Sequence, residues 1–507
     1  MTWLDAGSTL ARLLAGAIMI AAPIESQARG DDHRATDIAW INRLTWGVDG
    51  GSADPAPADR HWLDAQLRDV PATLPADAQR QVDAMRISQT PFAQLVIDED
   101  AQIRAANAMT DPAQRQAARD AYQKSMNALA DEARTRSLLR DLYAPDQLRE
   151  QMTWFWFNHF NVQAGKRDIR AMVGDYEDAI HGRALGRFRD LLEATLRHPA
   201  MLRYLDNDQN AAGHINENYA REIMELHTMG VGSGYTQQDV QELARILTGV
   251  GVSLKPDAPK LKPQWQPLYV RAGLFEFNPA RHDFGDKHFL GHVIKGSGFA
   301  EVEQALDLIA DAPATAHHVS LRLATYFMGD APPAPVVARM EQAFRRSHGD
   351  IAQVLRAMIG TSQFKASLGT VFKDPVHYAV SAVRYTYGDH VILNAQPMLG
   401  WLSRMGEGLY NHETPDGYDL HSAAWSGPGQ MATRFDIARQ IGGGSAGLFR
   451  APGASADAPA FPQLQNALYF AAVQSLLTPP TRAALTKATS PQEWNTLFLA
   501  SPDFMHR

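Results

Sequence analysis

Apolar residues recur at helical spacing along most of this chain, and polar residues break the rhythm in a few short, dense clusters. Asp111-Pro112 opens a run rich in Ala, Gln, Arg and Leu that continues to Tyr143 without internal Pro or Gly. Asp111 is placed to cap that helix, and Pro112 to fill its first position, where a missing N–H costs nothing. The stretch from Leu148 to Val162 is apolar on most sides and carries Trp154, Phe155, Trp156, Phe157 and Phe160. That is the pattern of a buried central helix. Thr236 followed by Asp239 is a capping-box variant. Val240, Leu243, Ala244 and Leu247 then fall at helical spacing, and Gly249 ends the element.

Between Lys262 and Gly296 the period shortens. Leu268 to Phe277 and His288 to Lys295 read as short strands, with Asn278-Pro279 and Gly285-Asp286 as breakers. The fold class expected is mainly α, a multi-helix globular body with a small inserted β-ribbon. The regions are a leader at 1–28, a helical region at 29–145, a central helical core at 146–260, the ribbon at 261–300 and a C-terminal helical region at 301–507. Gly51 to Pro57 and Ala451 to Pro462 read as surface loops.

With 507 residues, 45% hydrophobic and 21% charged, the chain is long enough for roughly two to four structural units around a sizeable core. A net charge of −8 without a basic cluster argues against general nucleic-acid binding. The chain has no cysteine, which excludes disulfides, thiolate zinc sites, Fe–S clusters and cysteine nucleophiles. Any metal must be held by His, carboxylates, amides or water.

Leu13 to Ala22 is an apolar run preceded by Arg12 and followed by Ser26-Gln27-Ala28. This is the layout of a signal peptide, too short to span a bilayer of about 30 Å. It points to a periplasmic or secreted protein. No other run approaches the length of a membrane helix.

The densest polar cluster is Asn216-Glu-Asn-Tyr-Ala-Arg-Glu-Ile-Met-Glu-Leu-His227. On an α-helical wheel Glu217, Asn218, Arg221, Glu222 and Glu225 fall within roughly 140° of one another. His227 lies on the opposite, apolar face. Two readings stand side by side: a solvated helix braced by Glu217–Arg221 and Arg221–Glu225 pairs, or a polar site inside a helical body.

Arg281-His282-Asp283-Phe-Gly-Asp286-Lys287-His288, with His292 beyond, is the second cluster. It could ligate a metal or supply a general acid and base; the bland alternative is a polar β-turn. His159 sits in the aromatic helix beside Trp156, where a core role competes with a substrate contact. Gly443-Gly-Ser445-Ala-Gly447 satisfies G-x-S-x-G but follows a helical pattern instead of a strand, which argues against a nucleophile elbow. No H-E-x-x-H, Walker A or ferritin-like Glu-x-x-His occurs.

The chain resembles the bacterial DUF1800 family, a domain of unknown function, nearly end to end. The phrases that carry the resemblance include Ile41-Asn-Arg-Leu-Thr-Trp-Gly47, Phe155-Trp-Phe-Asn-His-Phe160, His198-Pro-Ala-Met-Leu202, Asn216-Glu-Asn-Tyr-Ala-Arg-Glu222, Tyr235-Thr-Gln-Gln-Asp-Val240 and Pro415-Asp-Gly-Tyr418. One departure is Val250, where the family pattern has tryptophan after Gly249. The resemblance implies an exported, mostly helical protein, and association with a companion exported family of sulfatase-like appearance.

The expectation for function is an enzyme, a hydrolase or metal-dependent, acting on an extracytoplasmic substrate. Glu217, Arg221, Glu222, His282, Asp283 and Lys287 would carry the chemistry, and His159, Trp156, Asn218 and Tyr235 would contact substrate. Glu222, Glu225, His282 and Asp283 are the candidate ligands for a divalent metal. These segments would converge on one pocket, with Arg221 reaching across to another segment. The rival is a non-catalytic helical scaffold or partner of the sulfatase-like protein.

Overall fold

Local capping chemistry sets the helix boundaries. Asp111 accepts from the Gln114 N–H and starts the Pro112–Tyr143 helix. Thr236 and Asp239 form the reciprocal capping box that starts Gln237–Ile246. The computed structural model describes residues 22–51, 57–68, 71–388, 390–450 and 461–507, with side chains from residue 33 onward. Residues 1–21 of the leader and most of the loops at 51–57 and 451–462 lie outside the described residues. Helix makes up 59% of the described residues, and the strands among them lie in two small sheets, so the fold is mainly α. Among the described residues no helix is long and apolar enough to cross a membrane.

The aromatic helix runs Gln147–His159 and every one of its residues is buried. It stops at Phe160, short of Val162, because the Phe160–Val162 segment turns aside to pair with a distant loop. Asn161 Nδ2 donates to the His412 and Thr414 carbonyls at 3.1 and 2.8 Å.

The run expected as one helix over Asn216–His227 is α-helical only for Asn218–Glu222 and continues as a π-turn over Ile223–His227. Widening the turn breaks the 100° wheel after Glu222. It aims the last carbonyls outward: Leu226 O meets His318 Nε2 at 3.1 Å and His227 O meets His159 Nε2 at 2.9 Å.

The ribbon is two sheets. Val270–Ala272 and Phe275–Phe277 form an antiparallel hairpin, and Val250–Val252 adds to its far edge with Val250 opposite Phe277. Sequence patterning overlooked that third strand, a three-residue element containing Gly251. Lys287–Phe289 pairs with His292–Ile294 around Leu290-Gly291, both at positive φ, the conformation a two-residue hairpin turn requires.

A continuous apolar cluster extends from Ile38 to Met505 and joins all the helical regions. Inside it lies Arg43, 0% exposed. Its guanidinium donates to Phe327 O, to Ser367 Oγ at 2.9 Å and to Arg507 O at 2.7 Å, which ties the first helix to three distant parts of the chain. Asp374 caps the Pro375–Tyr387 helix by accepting from the His377 N–H at 2.7 Å. Just before the cap, Lys373 N–H donates to the Met505 carbonyl.

Candidate active site

Arg221 braces its own helix. Its Nη2 is 3.1 Å from Glu217 Oε2, and its Nη1 is 3.2 Å from Glu225 Oε1. Among the described residues its one hydrogen bond outside the helix is to Gln237 Oε1 at 3.0 Å, and Gln237 in turn donates to Glu217 at 2.7 Å. The cross-segment reach therefore ends on a neighbouring amide. Asn218 is used locally as well: its N–H is capped by Asn216 Oδ1 and its Nδ2 donates to Leu205 O at 3.3 Å. Tyr235 is half-buried near Glu225. Glu222 is half-buried, and burial, followed by the Glu225 charge, raises its carboxyl above the ordinary range.

His282, Lys287 and Asp283 form a separate, sealed network. His282 Nε2 is 2.9 Å from Glu301 Oε1 and its Nδ1 is 2.8 Å from Thr248 O. Lys287 Nζ donates to Glu301 Oε2 and to Asp283 O. Glu301 also accepts the Ser297 and Gly298 N–H groups at 2.6 and 2.9 Å. The side chains of His282, Lys287 and Glu301 are 0% exposed. Burial alone would raise the Glu301 carboxyl, but hydrogen bonds from His282, Lys287 and Gly298 outweigh it and hold it below its usual value. Asp283 is taken up by Arg245 Nε at 2.8 Å. This network fastens the ribbon to the Phe299–Ala310 helix; His288 and His292 stand exposed on the second hairpin.

The aromatic helix and the π-turn do meet, at His159. That ring packs between Phe155 and Phe160 and faces His227 and His318 with centroids 6.2 and 6.1 Å away. Burial, then the Arg322 charge, keeps His159 neutral and lowers His227 to about 3 and His318 to about 4. Trp156 is core, with its indole N–H on Ala184 O at 2.9 Å. The structure thus joins two of the three sequence-flagged segments. The His282 turn has a set of hydrogen-bond partners disjoint from that of the Asn218–His227 run.

Of the proposed metal ligands, Glu225 is held by Arg221, Asp283 by Arg245, and His282 by Glu301 and Thr248. Among the described residues, the donor atoms close enough to share an ion belong to Asp146, Glu150 and His181. Ser445 sits in the loop after the Pro428–Gly442 helix, with its Oγ on Gln440 O.

The arrangement with the most chemistry in it lies where sequence reasoning did not look. A cavity of about 470 Å³ opens between the first helix, the Pro375–Tyr387 helix and the segments around Leu476 and Phe504. Ile38, Val48, Leu368, Leu477 and Phe498 give it an apolar wall, and Asn42, Lys373 and Ser381 supply polar groups. Lys373 Nζ donates to Ser381 Oγ at 3.0 Å and rests 4.0 Å from the centre of the Phe504 ring. Burial, followed by the Arg434 and Arg507 charges, lowers the Lys373 ammonium to about 7. A large fraction is therefore free amine at neutral pH. Ser381 Oγ is 3.2 Å from Tyr378 O, and Asn42 Oδ1 is held by the Val48 N–H at 3.0 Å.

Behind the lysine, Arg507 Nη1 donates to His377 Nε2 at 2.8 Å, and His377 Nδ1 meets Asp374 Oδ2 at 3.0 Å. Burial would raise Asp374, yet His377 and Arg507 more than offset it and bring it to about 2. Burial and then Arg507 lower His377 to about 3. Glu407 is pushed well up by burial and by Asp374, and accepts the Val376 N–H at 3.1 Å. The one sequence signal for this region was Lys373 standing directly before an Asp-Pro helix start.

A family model described as Protein of unknown function (DUF1800) matches residues 39–506. No curated protein and no solved structure matches the chain.

Proposed function

The chain belongs to the DUF1800 family nearly end to end, and for it we propose a hydrolase that cleaves carboxylic esters of apolar acyl groups, with Ser381 as nucleophile and Lys373 as general base. The observation that carries this reading is the 3.0 Å contact between Lys373 Nζ and Ser381 Oγ on the wall of an apolar cavity. Serine–lysine pairs are an established variant of the nucleophile-plus-base arrangement. The cavity volume falls within the usual range for small-molecule sites.

The free amine of Lys373 takes the Ser381 hydroxyl proton as Oγ bonds to the acyl carbon. The lysine then returns that proton to the departing alcohol. A water, deprotonated by the same amine, cleaves the acyl-serine to carboxylate and restores Ser381. The Asn42 amide, on the same cavity wall, is the side-chain group offered to the oxyanion. The His377–Asp374 pair positions Lys373 by fixing the start of its helix and anchoring Arg507. The signal-peptide layout at 1–28 supports an extracytoplasmic substrate.

The test is labelling of the purified chain with a fluorophosphonate, together with hydrolysis of p-nitrophenyl esters of increasing acyl length. A covalent adduct on Ser381, absent in Ser381→Ala, is expected. No adduct and no turnover across the ester series would sink the reading. The non-catalytic scaffold for a sulfatase-like partner is favoured by one observation, the sealed His282–Glu301–Lys287 network with no route for a ligand. That reading requires the ester series to be inert.

A further inference from the structure

We propose that Asp146, Glu150 and His181 bind one divalent first-row transition-metal ion, at a site separate from the Ser381 cavity. One ligand atom from each of the three lies within 4.8 Å of the others. Bonds of about 2.0–2.2 Å from nitrogen and oxygen to such an ion place donors at most about 4.4 Å apart. A few tenths of an ångström of side-chain rotation closes the difference.

The positions follow from the fold. Asp146 precedes the Gln147–His159 helix and Glu150 lies one turn inside it, so the two carboxylates share a face. His181 ends the Val173–His181 helix, with its Nε2 2.9 Å from Glu150 Oε1. The three side chains are 8%, 4% and 12% exposed.

A second observation points to a ligand. Asp146 Oδ2 accepts the Ala72 N–H at 2.9 Å, but Oδ1 is buried with no partner among the described residues. An orphaned carboxylate oxygen is costly, and the Asp146 carboxylate that carries it lies beside an imidazole and a second carboxylate. The nearby Arg149 does not fill the gap. Its Nε approaches Oδ2 at 3.3 Å, and its two Nη atoms are occupied by His181 O at 2.7 Å and Arg68 O at 3.1 Å. Arg149 offsets one carboxylate charge, leaving a net negative, oxygen-and-imidazole donor set suited to Zn²⁺ or Mn²⁺ over Ca²⁺. Bound there, the ion links the starts and ends of two core helices.

The experiment is calorimetric titration of chelator-stripped full chain with ZnCl₂, backed by elemental analysis after dialysis. One zinc per chain is expected, with a rise in Tm on loading. Asp146→Asn keeps the backbone interactions and His181→Gln keeps an amide toward Glu150. Each should weaken zinc binding at least about tenfold and remove the Tm rise. Absence of zinc uptake, equal uptake by both variants, or preference for Ca²⁺ would overturn the proposal. Ser381 labelling in stripped protein, expected to be unchanged, separates this outcome from that of the hydrolase reading.

Discussion

Lys373 and Ser381 meet, Nζ to Oγ at 3.0 Å, across the opening turns of one helix, because the Asp374-Pro375 cap starts that helix directly behind the lysine. The backbone of Lys373 is pinned to the Met505 carbonyl, so its side chain runs along the Phe504 ring into the helix face. Such anchoring leaves the amine little freedom to drift from the hydroxyl.

Removing either member should abolish turnover without unfolding the chain. Ser381→Ala and Lys373→Met are each expected to lower kcat/KM for ester hydrolysis by about 10²–10⁴-fold, the usual worth of a positioned base. Lys373→Arg should be equally inactive, since guanidinium does not give up its proton. In the parent protein kcat/KM should rise as pH passes about 7, as the lysine loses its proton. A flat profile between pH 5 and about 9 would contradict the assignment.

The same lysine makes a stability prediction of definite sign. Its folded value, near 7, lies below its ordinary 10.5, so between those values the unfolded chain binds more protons. Stability then rises with pH across that window and is lower by a few kcal/mol below it, at an order-of-magnitude level. Lys373→Met should remove the slope and raise stability at neutral pH. Urea unfolding at pH 6, 8 and 10 reads both effects.

Glu301→Gln should behave in the opposite sense. It strands Lys287 in a fully buried position, which typically costs about 3–5 kcal/mol. Glu301 is held below its ordinary value, so its contribution is complete above about pH 4.5 and is lost as pH falls through the lowered folded value. The variant should be less stable at pH 7, and the gap to the parent should narrow in acid.

How much of this could be read from the chain depends on distance along it. The Thr236–Asp239 box and the Asp111 cap are local, and each forms as its residues dictate; the His288–Lys295 run, read as a single strand, instead reverses at Leu290-Gly291, both at positive φ. The His282 cluster was legible as unusual. Its partner Glu301 was not, because it arrives from the next helix. The helical wheel failed at Ile223, where one wider turn rotates every later side chain. Ser381 reads as one small residue in a buried helix. Only the course of the chain before Asp374 sets a lysine beside it.

Arg221→Ala settles the wheel's remaining claim. Its pairs with Glu217 and Glu225 are about one-third exposed, so they contribute only about 0.3–0.5 kcal/mol each. Tm should fall by no more than a degree or two, and ester turnover should be unchanged. A large loss of either would show that the arginine serves more than its own helix.

The buried Arg43 has a consequence for how this protein comes into being. Its hydrogen-bond acceptors lie 284, 324 and 464 positions further along the chain. On a ribosome none of them exists when Arg43 emerges, and the nearest follows only 284 residues later. The first helix therefore waits, its guanidinium hydrated, until those distant segments have been made. Loops that long also slow closure after release. A polypeptide whose central knot ties last stays open until those late segments join it.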